Sequence, residues 1–107
     1  EAFCFPSITE GFGLPVIEAM ALGRPVFTSH VTSLPEIGGE LGFYWHRYDL
    51  AHMREVFDRG MATVRQNPDF AQKLKAHAAQ FSWRNAALRY LDLYRQIAKQ
   101  RSRRLAA

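Results

Sequence analysis

Glu10 and Glu18 have seven residues between them, and the segment Gly11-Phe12-Gly13-Leu14-Pro15 fills most of that gap. Two carboxylates bracketing a glycine-bearing turn could act as an acid pair or accept paired hydrogen bonds from a diol. The turn between them narrows the choice. Pro15 suits the first turn of a helix, where its missing N–H costs nothing, and Val16 to Leu22 continue that helix to a stop at Gly23. The free N–H groups of the first helical turn and the positive end of its dipole favour a phosphate. Gly11 and Gly13 permit positive φ and a close approach of ligand to backbone. Carboxylates repel phosphate, so acids on both sides of such a turn fit a ligand that also carries hydroxyl groups. A sugar diphosphonucleoside has that layout, with a ribose diol on one side of its diphosphate and a hexose on the other. A glycoside hydrolase with Glu10 and Glu18 as its acid pair is the competing enzyme reading. It is disfavoured because hydrolytic carboxyls face one another across the scissile bond, with no anion site between them. Taken alone, Glu18 is an ordinary solvated helix residue and a lone G-x-G carries little. The order E-G-F-G-L-P-x-x-E-A-M-A-x-G-x-P-V carries the argument.

The flanking segments must hold this turn in place. Ala2 to Phe5 form a short apolar run ended by Pro6 and Ser7, which predicts a buried strand covered on both faces, with Cys4 as a buried structural thiol. Pro25 to Thr28 predict a second strand. A strand–helix–strand unit is normally a right-handed crossover between parallel strands, and ligands of such sheets lie outside the carboxyl ends of the strands. The Glu10–Leu14 turn belongs at that edge. After the connector His30-Val31-Thr32-Ser33, Ser33 is expected to cap a helical turn Leu34–Ile37, with Glu36 at the capping-box position. Gly38-Gly39 end it, and this loop is expected to pack beneath the turn rather than touch a ligand. Phe43-Tyr44-Trp45 read as a third short strand, with Asp49 as the next cap. From Leu50 the period becomes helical, with Met53, Val56, Phe57, Met61 and Val64 facing the core. Asn67-Pro68 break that helix, and Asp69 to Gln80 form another with Phe70 and Leu74 inward. Phe81 and Ser82 supply a staple and a cap for a last helix bearing Ala87, Leu88, Leu91, Tyr94, Ile97 and Ala98 on one side. The fold class is α/β: a partial Rossmann-like unit with parallel strands over residues 1–48 and a helical segment over 49–107.

With 107 residues the chain makes at most one small domain, and 48% apolar content with 22% charged residues fits a packed core. The net charge of +4 is modest, and no stacking aromatics interleave the basic residues, so nucleic acid is not an expected partner. One cysteine leaves no internal disulfide and suits a reducing compartment. No apolar run approaches the ~18 residues of a membrane span. His30, His46, His52 and His77 show no metal-ligand spacing and are expected to be packed or surface residues. Lys99, Arg101, Arg103 and Arg104 make a basic end, for which a solvated tail is favoured over contact with anionic lipid.

The stretch E-G-F-G-L-P-V-I-E resembles the E-x(7)-E signature of retaining glycosyltransferases of GT-B architecture, the glycosyl transferases group 1 family. Many mannosyl- and glucosyltransferases of bacterial cell-surface polysaccharides fall in that group. The resemblance continues through A-M-A-L-G-R-P-V-F-T-S, S-L-P-E-I-G-G and the F-S-W at Phe81 to Trp83. It implies that Glu10, the catalytic candidate, lies against the transferred sugar. It further implies that Gly11, Phe12, Gly13 and Leu14 touch sugar and diphosphate, and that Glu18 takes the ribose hydroxyls. The implied donor is a UDP- or GDP-linked hexose, the acceptor a glycan or a lipid-linked glycan, with no cofactor or bound metal. The implied location is cytoplasmic, peripheral at the inner face of the membrane. Only the second half of the donor-binding, C-terminal domain resembles this chain. A fragment is therefore expected, without its N-terminal acceptor domain and without the basic residues that neutralise the diphosphate. The closing helix would then leave part of its apolar face exposed or covered by a neighbour, and open sheet edges predict self-association. The sequence departs from the family at Gly42 to Asp49, where bulky aromatics replace a small-residue strand and a Pro-x-Asp. The alternative to a transferase is a non-catalytic nucleotide-sugar-binding or interaction module.

Overall fold

Three short parallel strands lie in the order β1-β2-β3, with β1 at Phe3–Phe5, β2 at Val26–Ser29 and β3 at Phe43–Trp45. The register pairs Phe3 with Val26 and Phe27 with Phe43. The computed structural model describes residues 1–105, with side chains described to Ser102. Helix α1 (Leu14–Ala21) connects β1 to β2, and α2 (Leu34–Gly38) followed by a 3-10 turn at Gly39–Leu41 connects β2 to β3. Helices α3 (Leu50–Gln66), α4 (Phe70–Ala78) and α5 (Trp83–Leu105) complete the chain.

Period-two alternation on β2 divides the core between two faces. Val26 joins Val16, Met20, Leu34, Ile37, Phe70 and Leu74 under α1, α2 and α4. Phe27 points the other way, into Trp45 and Val56 beneath α3. The α3 stripe is as expected from its spacing: Val56 is buried, and Met53, Phe57 and Met61 pack around it. One member was not expected. Gly60 is buried on α3 where the helix meets Phe27 and Phe43, and a Cβ there would stand 2.5 Å from the Phe27 ring.

The local stops fall where the sequence puts them. Gly23 turns left-handed at φ 70°, after α1. Asp49 Oδ1 accepts from the His52 N–H at 2.9 Å and caps α3. Ser82 Oγ accepts from the Asn85 N–H at 3.1 Å and caps α5. Cys4 is a correction, because it is exposed rather than buried. Phe3 and Phe5 face the packed side with α1, but α3 lies over β2 and β3 and leaves the opposite face of β1 uncovered. Its partial burial still pushes the thiol pKa up, which disfavours the reactive thiolate.

Beyond its first turn α5 leaves the body. Trp83 at its first position is already 91% exposed, and past the first turn Leu88, Tyr90, Leu91, Tyr94 and Ile97 are exposed as well. The projecting helix accounts for the long axis of 61 Å against 29 and 19 Å. This matches the expected exposure of the apolar face. Arg103 and Arg104 of the basic end lie outside the described side chains.

Tyr44 ties the β2–β3 connection together. Its hydroxyl donates to the Gly39 carbonyl at 2.6 Å, and burial pushes its pKa from the ordinary 10.0 up to about 12. The protonated form is thus the one the fold favours. The stability it contributes is fully present below about pH 10 and is lost as pH rises through 12. Alkaline unfolding followed by circular dichroism is expected to steepen across that window, and Tyr44→Phe to remove the added steepness.

Candidate functional site

Gly13 makes the turn. It precedes α1 at φ 98° and ψ 41°, a left-handed conformation that a side chain would strain. A Cβ there would also lie 2.9 Å from Leu34 Cδ2. Its carbonyl accepts the Val16 N–H at 3.0 Å, and Pro15 occupies the first helical turn. Gly11 differs from the expectation: it takes no positive φ. Its contribution is space, since a Cβ there would meet nothing within 4 Å. The turn is therefore rigid at Gly13 and open at Gly11.

Glu10 ends the segment that leaves the carboxyl end of β1. Its carboxylate is half-buried and accepts from Ser7 Oγ at 2.8 Å. Phe12 is exposed and meets Phe81 edge-on with ring centroids 6.4 Å apart. Leu14 is exposed at the helix start. Glu18 is exposed four residues further on, and its carboxylate has no hydrogen-bond or ion-pair partner among the described residues. It borders a shallow groove with Ala2, Phe3, Pro15, Ala19, Leu22 and Arg24, between α1 and the free edge of β1. Glu10 lines no part of that groove. Glu10 precedes the turn and Glu18 follows it along the chain, and the two acids do not share one cavity.

A further contributor was missed in the sequence. The expected capping role of Ser33 is overturned: α2 has no side-chain cap, and Ser33 itself is helical at φ −80° and ψ −14°. Its hydroxyl proton is instead shared between the carbonyls of Phe12 at 3.0 Å and Glu10 at 3.2 Å. Next to it, Thr32 Oγ1 accepts the Glu10 N–H at 3.2 Å. Thr32 sits at φ 48°, a left-handed conformation that is uncommon for a β-branched residue and costs about 1–3 kcal/mol. The signal available was two adjacent hydroxyl residues just past the carboxyl end of a strand, at the level of the turn. The expectation that this loop packs beneath the turn holds.

His30 and His46 follow β2 and β3 at the same sheet edge, with ring centroids 4.4 Å apart. His52 Nε2 accepts the His46 N–H at 3.3 Å, and His77 Nε2 stands 2.7 Å from the Ile37 carbonyl, to which it donates. Among the described residues no group of three or more His, Cys, Asp or Glu side chains is arranged to hold a metal ion.

A helix N-terminus open at Gly11 and flanked by acids suits a ligand with both anionic and hydroxyl groups. The family model for group 1 glycosyl transferases matches residues 1–76. The chain belongs to the group 1 glycosyltransferases. Among curated proteins it is 37% identical over 99 residues to the serotype-specific mannosyltransferase WbdA of Escherichia coli, across 89% of this chain and 12% of that protein. It is 39% identical over 103 residues to the O-antigen chain mannosyltransferase B of Escherichia coli, across 89% of this chain and 25% of that one. It is 32% identical over 98 residues to the MMP alpha-(1->4)-mannosyltransferase of Mycolicibacterium hassiacum, across 88% of this chain and 24% of the relative. The chain therefore spans between 12% and 25% of the length of these relatives. No solved structure gives a significant match. The part of this glycosyltransferase chain beyond the family model's match is the end of α4 with α5, and the alignments to these relatives run on past residue 76.

Proposed function

We propose that this chain supplies the donor half-site of a retaining hexosyltransferase, completed by a further domain that brings the acceptor. Mannose is the sugar favoured, because the relatives named above are mannosyltransferases. The observation that carries the reading is the Gly11–Gly13 turn that leads into α1, with open space at Gly11 and with Glu10 before it and Glu18 after it along the chain. The backbone N–H groups at the start of α1 bind the diphosphate of a UDP- or GDP-hexose and stabilise it as it departs. Glu10 faces the hexose, where its negative charge offsets the positive charge developing at the anomeric carbon. Glu18, unpaired beside its groove, accepts hydrogen bonds from the ribose diol. The acceptor is a glycan or lipid-linked glycan, and the enzyme works at the cytoplasmic side of a membrane without a bound metal.

Hydrogen bonds to a charged group contribute about 1.5–3 kcal/mol each. Glu18→Ala in the full-length enzyme is therefore expected to raise the donor KM about tenfold to a hundredfold with kcat little changed. Steady-state kinetics with varied donor check this. A donor KM equal to that of the wild type would remove Glu18 from the site.

A further inference from the structure

We propose that Thr32 and Ser33 are positioning residues for Glu10, so that the connector between β2 and α2 sets the geometry of the sugar-facing side of the turn. The inference rests on the donor-binding reading above. Three consecutive residues, the last two of the connector and the first of α2, engage the turn. Thr32 Oγ1 accepts the Glu10 N–H, the Ser33 hydroxyl donates to the Glu10 and Phe12 carbonyls, and Leu34 packs under Gly13. The backbone of Glu10 is thus clamped at both its N–H and its carbonyl by side chains more than twenty positions away.

Two features mark this clamp as more than loop packing. Ser33 occupies the position from which a serine ordinarily caps a helix, yet its hydroxyl leaves α2 uncapped and bonds the turn instead. Thr32 holds a left-handed backbone, and in that conformation its hydroxyl meets the Glu10 amide. Local preference is overridden at two adjacent residues, both times in favour of a bond to the turn. Strain of this kind persists where the surroundings over-determine it, and such places cluster at ligand clamps. With its backbone fixed and its carboxylate held by Ser7, Glu10 has its direction set before any ligand arrives. Glu18 lies within α1 and borders a different groove, so its placement does not depend on the clamp.

That asymmetry supplies the test. In the full-length protein, Ser33→Ala is expected to weaken binding of the preferred UDP- or GDP-hexose about five- to tenfold, the loss of one or two hydrogen bonds. Binding of UDP or GDP without the sugar is expected to stay within about twofold, because the ribose contact at Glu18 is untouched. Ser33→Thr, which keeps the hydroxyl, is expected to restore the hexose affinity. Thr32→Val keeps the branched shape and removes the acceptor, and it is expected to reproduce the sugar-selective loss if Ser33→Ala does not fold. Equal losses for nucleotide and nucleotide sugar, or no loss in either folded variant, would overturn the positioning role while leaving the donor site in place. A wild-type protein that binds neither nucleotide sugar would overturn the donor reading, and this inference with it.

Discussion

Glu10→Ala in the full-length enzyme is expected to lower kcat about a hundredfold and to raise donor KM about tenfold. A carboxylate about 4 Å from a unit positive charge, at an effective dielectric constant of ~20, gains about 4 kcal/mol. Glu10 is only half-buried and the anomeric carbon carries a partial charge in the transition state, so roughly 2–3 kcal/mol of that survives. Each 1.36 kcal/mol is a factor of about ten in rate, which gives the hundredfold. The ground-state sugar is neutral at that carbon, so the larger loss falls on turnover, while hydrogen bonds from the sugar hydroxyls to Glu10, made in both states, account for the smaller change in KM. Single-turnover measurements with saturating donor separate the two. A variant with wild-type turnover would exclude Glu10 from the chemistry.

The second large effect is on the fold. Gly60→Ala places a methyl group 2.5 Å from Cε1 and 2.8 Å from Cζ of Phe27, and 2.9 Å from Phe43. The Phe27 ring has no room to yield, because it is fully buried, stacked on Phe43 at a centroid distance of 4.8 Å and tilted against Phe57 at 4.7 Å. Overpacking of this kind costs about 3 kcal/mol. Replacing glycine by alanine inside a helix returns about 1 kcal/mol of backbone entropy, so packing wins by about 2 kcal/mol. For a domain of this size that lowers Tm by on the order of 10 °C. Gly11→Ala is the matched control: its Cβ would enter open space, and Tm is expected to move by no more than about a degree. Thermal denaturation of the two variants side by side decides the matter. A Gly60→Ala protein as stable as the wild type would mean that α3 stands further from β2 than described.

The features legible in the sequence were those with local causes. Pro15 and Gly23 bound α1 because the cyclic side chain and the left-handed stop act on their own residues. Asp49 and Ser82 cap their helices through bonds spanning three positions. What escaped was set at a distance. Ser33 has the same local options as Ser82, and its partners lie 21 and 23 positions back along the chain, so capping was the natural expectation. Cys4 sits in an apolar run, but whether a second layer covers it depends on where α3 lands, which the run itself does not encode. Gly60 keeps a helical backbone and leaves no conformational sign, so only the proximity of Phe27 explains it. At the site, the turn and its two acids were legible as a pattern, whereas the connector that holds the turn was not.

The α1 N-terminus and its flanking glutamates form the proposed nucleotide-sugar site. Calorimetric titration of the full-length protein with UDP- and GDP-hexoses, with Glu18→Ala alongside, tests this most directly. The account predicts saturable binding of one of the two donor classes, weakened at least about tenfold in the variant. Equal affinity in wild type and Glu18→Ala would contradict it, because the ribose would then be held elsewhere and the pair of acids would not define the site.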